Sequence, residues 1–403
     1  MRVIIRNGTI ITPYRVLERS SLIMEDGVIT AVVPHSDLEI GDEDTVFDVG
    51  GDYVAPGFID IHSHGGGGHD FMDGTPEAFL EGARAHLSYG TTSILPTTLT
   101  STTEELFRTL DSFHKAQTAQ VVGPELLGLH LEGPYFALEQ KGAQDPRYIK
   151  NPSPDEYKAI VDYSKSIKRW TIAPELPGAL EMARYLREHG IVCSIGHSNA
   201  ISDEVEQAVE NGFTLVTHLY SGMSTVRRIN AYRYAGVVES ALLLDDLVVE
   251  IIADGAHLPK SLLQLVYKTK GADAICLVTD SMRAAGMPEG KTILGSLDDG
   301  QEVIVEDGVA KLLDRSAFAG SVCTADRLIR TMVQLAQVPL VEAIRMLTLT
   351  PARVLDIQDR KGSLAPGKEA DIVVFDADIK ISMVLVKGKL GFSRNLEVKN
   401  ETN

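Results

Sequence analysis

Positive charge, cysteine and tryptophan are in short supply in this chain for its length. Its 403 residues carry 38 Lys plus Arg against 56 Asp plus Glu, a formal net charge of −18, whereas a protein that grips nucleic acid or an anionic membrane presents a basic face. That balance argues against both partners, and an anionic substrate must be held by a local pocket. Only three cysteines occur, Cys193, Cys276 and Cys323; odd in number and far apart in sequence, they read as reduced, buried thiols. The single tryptophan, Trp170, starts an apolar run and is assigned to the core. No uncharged stretch approaches the roughly 18 residues of a membrane span. The first residues, Met1 to Arg15, contain no apolar run ahead of a small-residue cleavage site, so the expectation is a soluble, cytoplasmic protein. Disorder and fibrous structure are excluded as well, with 44% of the residues hydrophobic and 23% charged.

Residues 1–55 alternate apolar and polar positions in short runs broken by Asn7-Gly8 and Asp26-Gly27, the pattern of hairpins with tight turns. The same texture returns after Gly362, with strands over Ala370 to Phe375 and Ser382 to Val386 and a turn at Lys387-Gly388. Both termini together are therefore assigned to one small β-sandwich domain, 1–55 with 359–403. Between them, over 56–358, apolar runs alternate with amphipathic stretches, the signature of βα units on a parallel sheet. Eight runs qualify as buried strands: Gly57–His62, Thr92–Pro96, Leu126–Leu131, Arg169–Ala173, Ile191–Ile195, Phe213–Thr217, Val248–Ile252 and Ile275–Thr279. That number predicts an α/β fold of the (β/α)₈ TIM-barrel type. Helices are expected over Ala325–Gln337 and Leu340–Leu355, and a hairpin insertion over Gly286–Leu313.

Barrel enzymes carry their chemistry at the C-terminal ends of the strands. Here those ends are rich in metal-ligand types. Strand one ends in His62-Ser63-His64, and a period of two puts both imidazoles on one face. Strand three ends in Glu132, strand five in His197, strand six in His218, strand seven in Asp254-Gly255-Ala256-His257 and strand eight in Asp280. Imidazole nitrogen plus carboxylate oxygen is a ligand set for Zn²⁺ or Fe²⁺ with a position left open for water, which points to metal-dependent hydrolysis. The glycine run Gly65 to Gly68 lacks a following Gly-Lys-Ser/Thr, so it is read as a close-packed turn and not a phosphate loop. His130 shares a face with Glu132 and is read as a brace; His35, His69, His86, His114 and His189 fall outside the pattern.

With those residues in hand, the sequence resembles the N-acetylglucosamine-6-phosphate deacetylases of the amidohydrolase superfamily. The likeness is carried by Pro56-Gly57-Phe58-Ile59-Asp60-Ile61-His62-Ser63-His64, His130-Leu131-Glu132-Gly133-Pro134, Gly196-His197-Ser198, Thr217-His218-Leu219, Asp254-Gly255-Ala256-His257, Thr279-Asp280 and Phe318-Ala319-Gly320-Ser321. It implies a metal on Glu132, His197 and His218, room for a second ion where His62 and His64 are both present, hence one or two ions per subunit, Asp280 as general base and then acid, and His257 against the acetyl group. It also implies that Gly142, Ala143, Ala319, Gly320 and Ser321 surround an amino sugar phosphate, that Ser221 and Gly222 offer backbone N–H groups to it, and that an arginine of the following loop reaches the phosphate from the partner of a homodimer; Arg227, Arg228 and Arg233 are candidates, with Arg227 or Arg228 favoured as nearest the shared motif. Three departures stand out. His218-Leu219-Tyr220-Ser221-Gly222-Met223 replaces the family's His-Leu-Phe-Asn-Ala-Met, the loop after it is longer, and Gln144 stands where members tend to have histidine. The rival readings are a cyclic-amide hydrolase or base deaminase, disfavoured by Pro174-Glu175 where many of the former carry a bridging lysine, and a scaffold that has lost its chemistry, disfavoured by the intact ligand set.

Overall fold

The computed structural model describes residues 2–119 and 122–394. All eight expected barrel strands are present: Phe58–Ser63, Thr91–Pro96, Leu129–Glu132 with a short Glu125–Leu126 lead-in, Ile167–Ile172, Val192–Ile195, Phe213–Val216, Val248–Ile251 and Ile275–Leu277. Strands three to eight form one parallel six-stranded sheet. Strands one and two pair in parallel, and strand two pairs in parallel with the lead-in. Single parallel bridges from Ser63 to Ser281 and from Thr97 to His130 join the two sheets at their C-terminal ends. The ring is thus closed at the end where the ligand-type residues lie.

The outer helices start where local chemistry allows. Helix Pro76–Leu87 follows Thr75, whose hydroxyl accepts the Ala78 N–H, and has proline in its first turn. Helix Thr103–Gln117 has a capping box from Thr102 and Glu105. Their apolar stripes meet the outer faces of the strands in one large core that includes Phe79, Phe113 and Trp170.

Both termini contribute to an eight-stranded sheet that joins Arg2–Ile11, Val16–Glu25 and Tyr53–Pro56 to Ile372–Phe375, Ile381–Val386 and Lys389–Ser393. Period-two alternation divides its side chains between two cores. Ile372 and Val374 pack with Val3, Ile5, Leu22 and Met24 inside the β domain, while Val373 and Phe375 join the barrel's core. Residues 395–403 of the expected terminal domain lie outside the described residues.

Three expectations need correction. The helix foreseen over Leu340–Leu355 is two helices, Leu340–Met346 and Leu349–Val354. Pro351 has no N–H to give the Leu347 carbonyl, and that carbonyl instead accepts the N–H of Ile59, 2.8 Å away, tying the break to the first barrel strand. The helix foreseen over Ala325–Gln337 is α-helical only to Arg330 and then widens into a π-turn over Thr331–Leu335. The hairpin insertion is a three-stranded antiparallel sheet, Gly290–Leu294, Gln301–Glu306 and Val309–Leu312.

Candidate metal centre and active site

The strand ends converge. Glu132 lies at the centre, with Oε1 3.3 Å from His197 Nε2 and 3.0 Å from His218 Nε2. Its Oε2 lies 3.4 Å from His64 Nε2, and His62 Nε2 is 3.7 Å from Oε1. Asp280 Oδ1 faces His64 at 3.2 Å and His62 at 3.5 Å. Two groups of potential ligands therefore share one carboxylate: His62, His64 and Glu132, and Glu132, His197 and His218.

Backbone twist aims these groups inward. His197, His218 and Asp280 have φ values of 49°, 27° and 45°, a left-handed conformation that costs a non-glycine residue of order ~1–3 kcal/mol. Each lies two or three residues beyond the end of its strand, so the turn swings its side chain over the barrel mouth. Gly222 leaves room for one of them: a Cβ there would come 2.8 Å from His197 Nδ1 and 2.9 Å from the Gln140 carbonyl oxygen.

The imidazoles are set to present Nε2 lone pairs. His197 Nδ1 is 2.7 Å from the Gln140 carbonyl, and His64 Nδ1 is 3.3 Å from that of Thr97. A carbonyl only accepts, so each Nδ1 carries the proton. His62 Nδ1 is held by Glu250 at 3.2 Å, leaving its buried Nε2 without a hydrogen-bond partner among the described residues. Such outer partners fix the tautomer and raise ligand basicity.

The cluster also calls for positive charge. Burial is the largest influence on Glu132 and favours its neutral form, yet His197 and His218 hold the carboxyl well below the usual range. Burial likewise pushes Asp280 up, but His62 and His64 bring it down to about 2. For His64, burial disfavours the cation while Asp280 and Glu132 raise the ring to about 10. Two buried carboxylates drawing protons onto imidazoles is the electrostatics of a cation site, so these donors fit a divalent ion.

A cavity opens onto this centre, and Gly142, Ala143, Ser221, His257 and Gly320 stand on its wall beside the ligand cluster. His257 gives Nδ1–H to Asp254 Oδ2 at 2.8 Å, and Asp254 Oδ1 also accepts the N–H groups of Ala256 and His257. Burial favours a neutral Asp254, but His257 holds its carboxyl below the usual range. Ala319 and Ser321 are buried behind the wall. Ser321 donates its N–H to the Asp280 carbonyl at 2.7 Å, so it supports that residue and does not line the cavity. Arg227 and Arg228 lie on a hairpin, Arg227–Ile229 with Tyr232–Tyr234, closed by Asn230 and Ala231 at φ 49° and 73°. Neither arginine lines the cavity of its own chain. Neither guanidinium has an ion-pair partner among the described residues.

His130 is a brace, as read. Its nitrogens meet Thr97 Oγ1 at 3.2 Å and Thr171 Oγ1 at 2.6 Å, and its ring packs edge-on against His62. The glycine run is a tight hairpin whose Gly67 and Gly68 have positive φ. His86, set aside in the sequence, is buried there, with Nε2 2.9 Å from the Gly65 carbonyl oxygen.

Sequence reasoning missed the floor of the site. Arg169 and Glu250 form a fully buried bidentate pair, and Glu250 reaches both His62 and the backbone N–H of His218. The available signal was charge of opposite sign inside two barrel strands, Arg169 next to Lys168 in Ile167–Ile172 and Glu250 in the otherwise apolar Val248–Ile251. Leu99 and Leu294, the latter from the inserted sheet, also face the cavity and were not singled out.

Residues 53–391 match the model of the amidohydrolase family. An N-acetylglucosamine-6-phosphate deacetylase of Lysinibacillus sphaericus is 34% identical over 98% of this chain and 99% of its own length. An N-acetylgalactosamine-6-phosphate deacetylase of Escherichia coli is 32% identical over 96% and 98%. The crystal structure of an N-acetylglucosamine-6-phosphate deacetylase from Pasteurella multocida superposes with a TM-score of 0.90 at 32% identity, covering 98% of this chain and all of that one. Motifs, fold and ligand cluster agree with these likenesses, and the chain belongs to the N-acetylglucosamine-6-phosphate deacetylase family of amidohydrolases.

Proposed function

We propose that this chain hydrolyses the acetamido group of N-acetylglucosamine 6-phosphate to acetate and glucosamine 6-phosphate. The observation that carries the proposal is Glu132, a buried carboxylate shared by two ligand groups at the mouth of a barrel whose relatives are named for this reaction. Glu132, His197 and His218 would hold one divalent ion, Zn²⁺ or Fe²⁺, and His62, His64 and Glu132 would offer a second position. Such an ion supplies Lewis acidity toward water and an amide carbonyl.

The chain's own groups do the rest. Asp280, ionised beside the imidazoles, takes the proton of the attacking water and delivers it to the departing amine. His257, its Nδ1–H held by Asp254, stabilises the charge that develops on the acetyl oxygen when Nε2 also carries a proton to donate to it. The Ser221 N–H expected to meet the sugar is instead donated to the His218 carbonyl at 2.9 Å, which leaves the backbone N–H of Gly222 to orient the sugar, with Gly142, Ala143 and Gly320 shaping its pocket. The two arginines lie outside their own cavity and have no carboxylate partners among the described residues. That arrangement supports a homodimer in which Arg227 or Arg228 of one copy binds the phosphate held by the other. Val226, Ile229 and Tyr232 leave apolar surface exposed on the same arm. We assign residues 56–358 to the catalytic barrel, 1–55 and 359–403 to the β domain, and the cytoplasm as the place of action. No helix among the described residues is long and apolar enough to cross a membrane.

The test is acetate release from N-acetylglucosamine 6-phosphate, its galacto epimer and the unphosphorylated sugars, with metal analysis of the same preparation and sedimentation at assay concentration. Turnover of a phosphorylated N-acetylhexosamine by a metal-containing dimer is the expected result. A metal-loaded protein that releases no acetate from any of the four would overturn the assignment.

A further inference from the structure

Gln144 stands where members of the resembled family tend to have histidine, and its amide is oriented by a partner that leaves no choice. The backbone N–H of Thr100 can only donate, so Oε1 accepts it at 2.9 Å, and Nε2 therefore faces Glu132 and donates to Oε2 at 2.7 Å. The residue is 6% exposed, and its own N–H is anchored on the Lys141 carbonyl at 2.9 Å. A side chain held at three points has little freedom to leave the carboxylate.

The contact divides the oxygens of Glu132 between tasks. Oε1 faces His197 and His218, while Oε2 carries the Gln144 bond and lies 3.4 Å from His64 Nε2. A carboxylate oxygen has two lone-pair directions; with the amide on one, the other remains for the His64 side. Without the amide, rotation of the carboxylate would withdraw Oε2 from His64, at little cost to Oε1, which His197 and His218 flank.

We propose that Gln144 is a positioning residue that fixes the plane of the Glu132 carboxylate so that each oxygen serves one metal position, and that it thereby governs filling of the position formed by His62 and His64. This rests on the two-position reading given above. Gln144→Met keeps the length and removes the donor; Gln144→His restores one. Metal-stripped protein titrated with Zn²⁺ against a competing chelator, with metal content per chain as a second readout, separates the cases. The wild type should take two ions. Gln144→Met should lose about 10- to 100-fold in affinity at the second position with the first held within about threefold, and Gln144→His should recover most of that loss. Two ions bound with unchanged affinities in Gln144→Met would overturn this inference alone, whereas a wild type that takes only one ion overturns the two-position reading as well. Should Gln144→Met not fold, a crystal structure of the wild type with two Zn²⁺ decides: the amide must still donate to Glu132, and an amide turned away refutes its role.

Discussion

At the scale of single residues, the site depends on side chains whose protonation is decided by neighbours. Asp280 is ionised because His62 and His64 outweigh its burial, and that is what a proton acceptor needs. Asp280→Asn should lose several orders of magnitude in kcat while metal content stays near wild type, since the amide cannot accept the water's proton. Activity within about tenfold of wild type would remove Asp280 from the chemistry. Glu132→Gln should behave differently, losing metal and rate together, because Glu132 belongs to both ligand groups. Asp254 acts one step back: it holds His257 by Nδ1, so Asp254→Asn should leave metal content intact and lower kcat by about 10- to 100-fold, the size of loss seen when an orienting partner is removed. An unchanged kcat would mean that His257 needs no such support.

At the scale of elements, the hairpin Arg227–Ile229 and Tyr232–Tyr234 carries the two arginines proposed to reach the phosphate. Losing a buried charged contact to phosphate costs about 2 to 4 kcal/mol in kcat/KM, so replacing Arg227 and Arg228 together by Ala should erase most of the preference for the phosphorylated over the free sugar. Equal rates on the two sugars in the wild type would refute the phosphate role outright. The barrel strands and the ligand-bearing strand ends were legible in sequence because burial on both faces leaves continuous apolar runs and because chemistry follows them directly. This hairpin was not, since its φ > 0 turn is built from Asn230 and Ala231 and lacks the usual glycine signal. The break at Thr348 was visible in principle, through Pro351. Gln144, Arg169 and Glu250 were hidden for another reason: what they do is defined by partners dozens of residues away, and spacing along one strand or loop carries no trace of Thr100 beside Gln144 or of His62 beside Glu250.

At the scale of the whole molecule, the β domain is tied to the barrel, at the start of its third strand, by a cluster of charges. Lys361, 1% exposed, meets Glu125 at 2.8 Å, Glu369 at 2.7 Å and Asp371 at 2.5 Å, and Arg360 adds bonds to Glu125 and Glu369. Glu125 comes from the third strand's lead-in, while Ile372 directly follows Asp371 and starts the strand that packs on the barrel. Burial, the largest influence, raises the Glu125 pKa, but Lys361 and Arg360 outweigh it and bring the carboxyl from 4.5 down to about 2. A folded pKa below the unfolded one means that the stabilisation is present above about pH 4.5 and is lost as the pH falls toward 2. Asp371 works in the opposite sense, its pKa raised by burial despite Lys361, and it offsets part of the effect. Glu125→Gln should therefore be less stable than wild type near neutrality, by at most about 3 kcal/mol given a shift of this size. Because the wild type alone loses the Glu125 term on acidification, the gap between the two proteins should narrow from pH 5 toward pH 3 in denaturant titrations of the metal-stripped forms. A gap that stays constant across that window would mean that Glu125 contributes by packing and hydrogen bonding alone. The charge cluster would then fix the orientation of the β domain without making its attachment sensitive to acid.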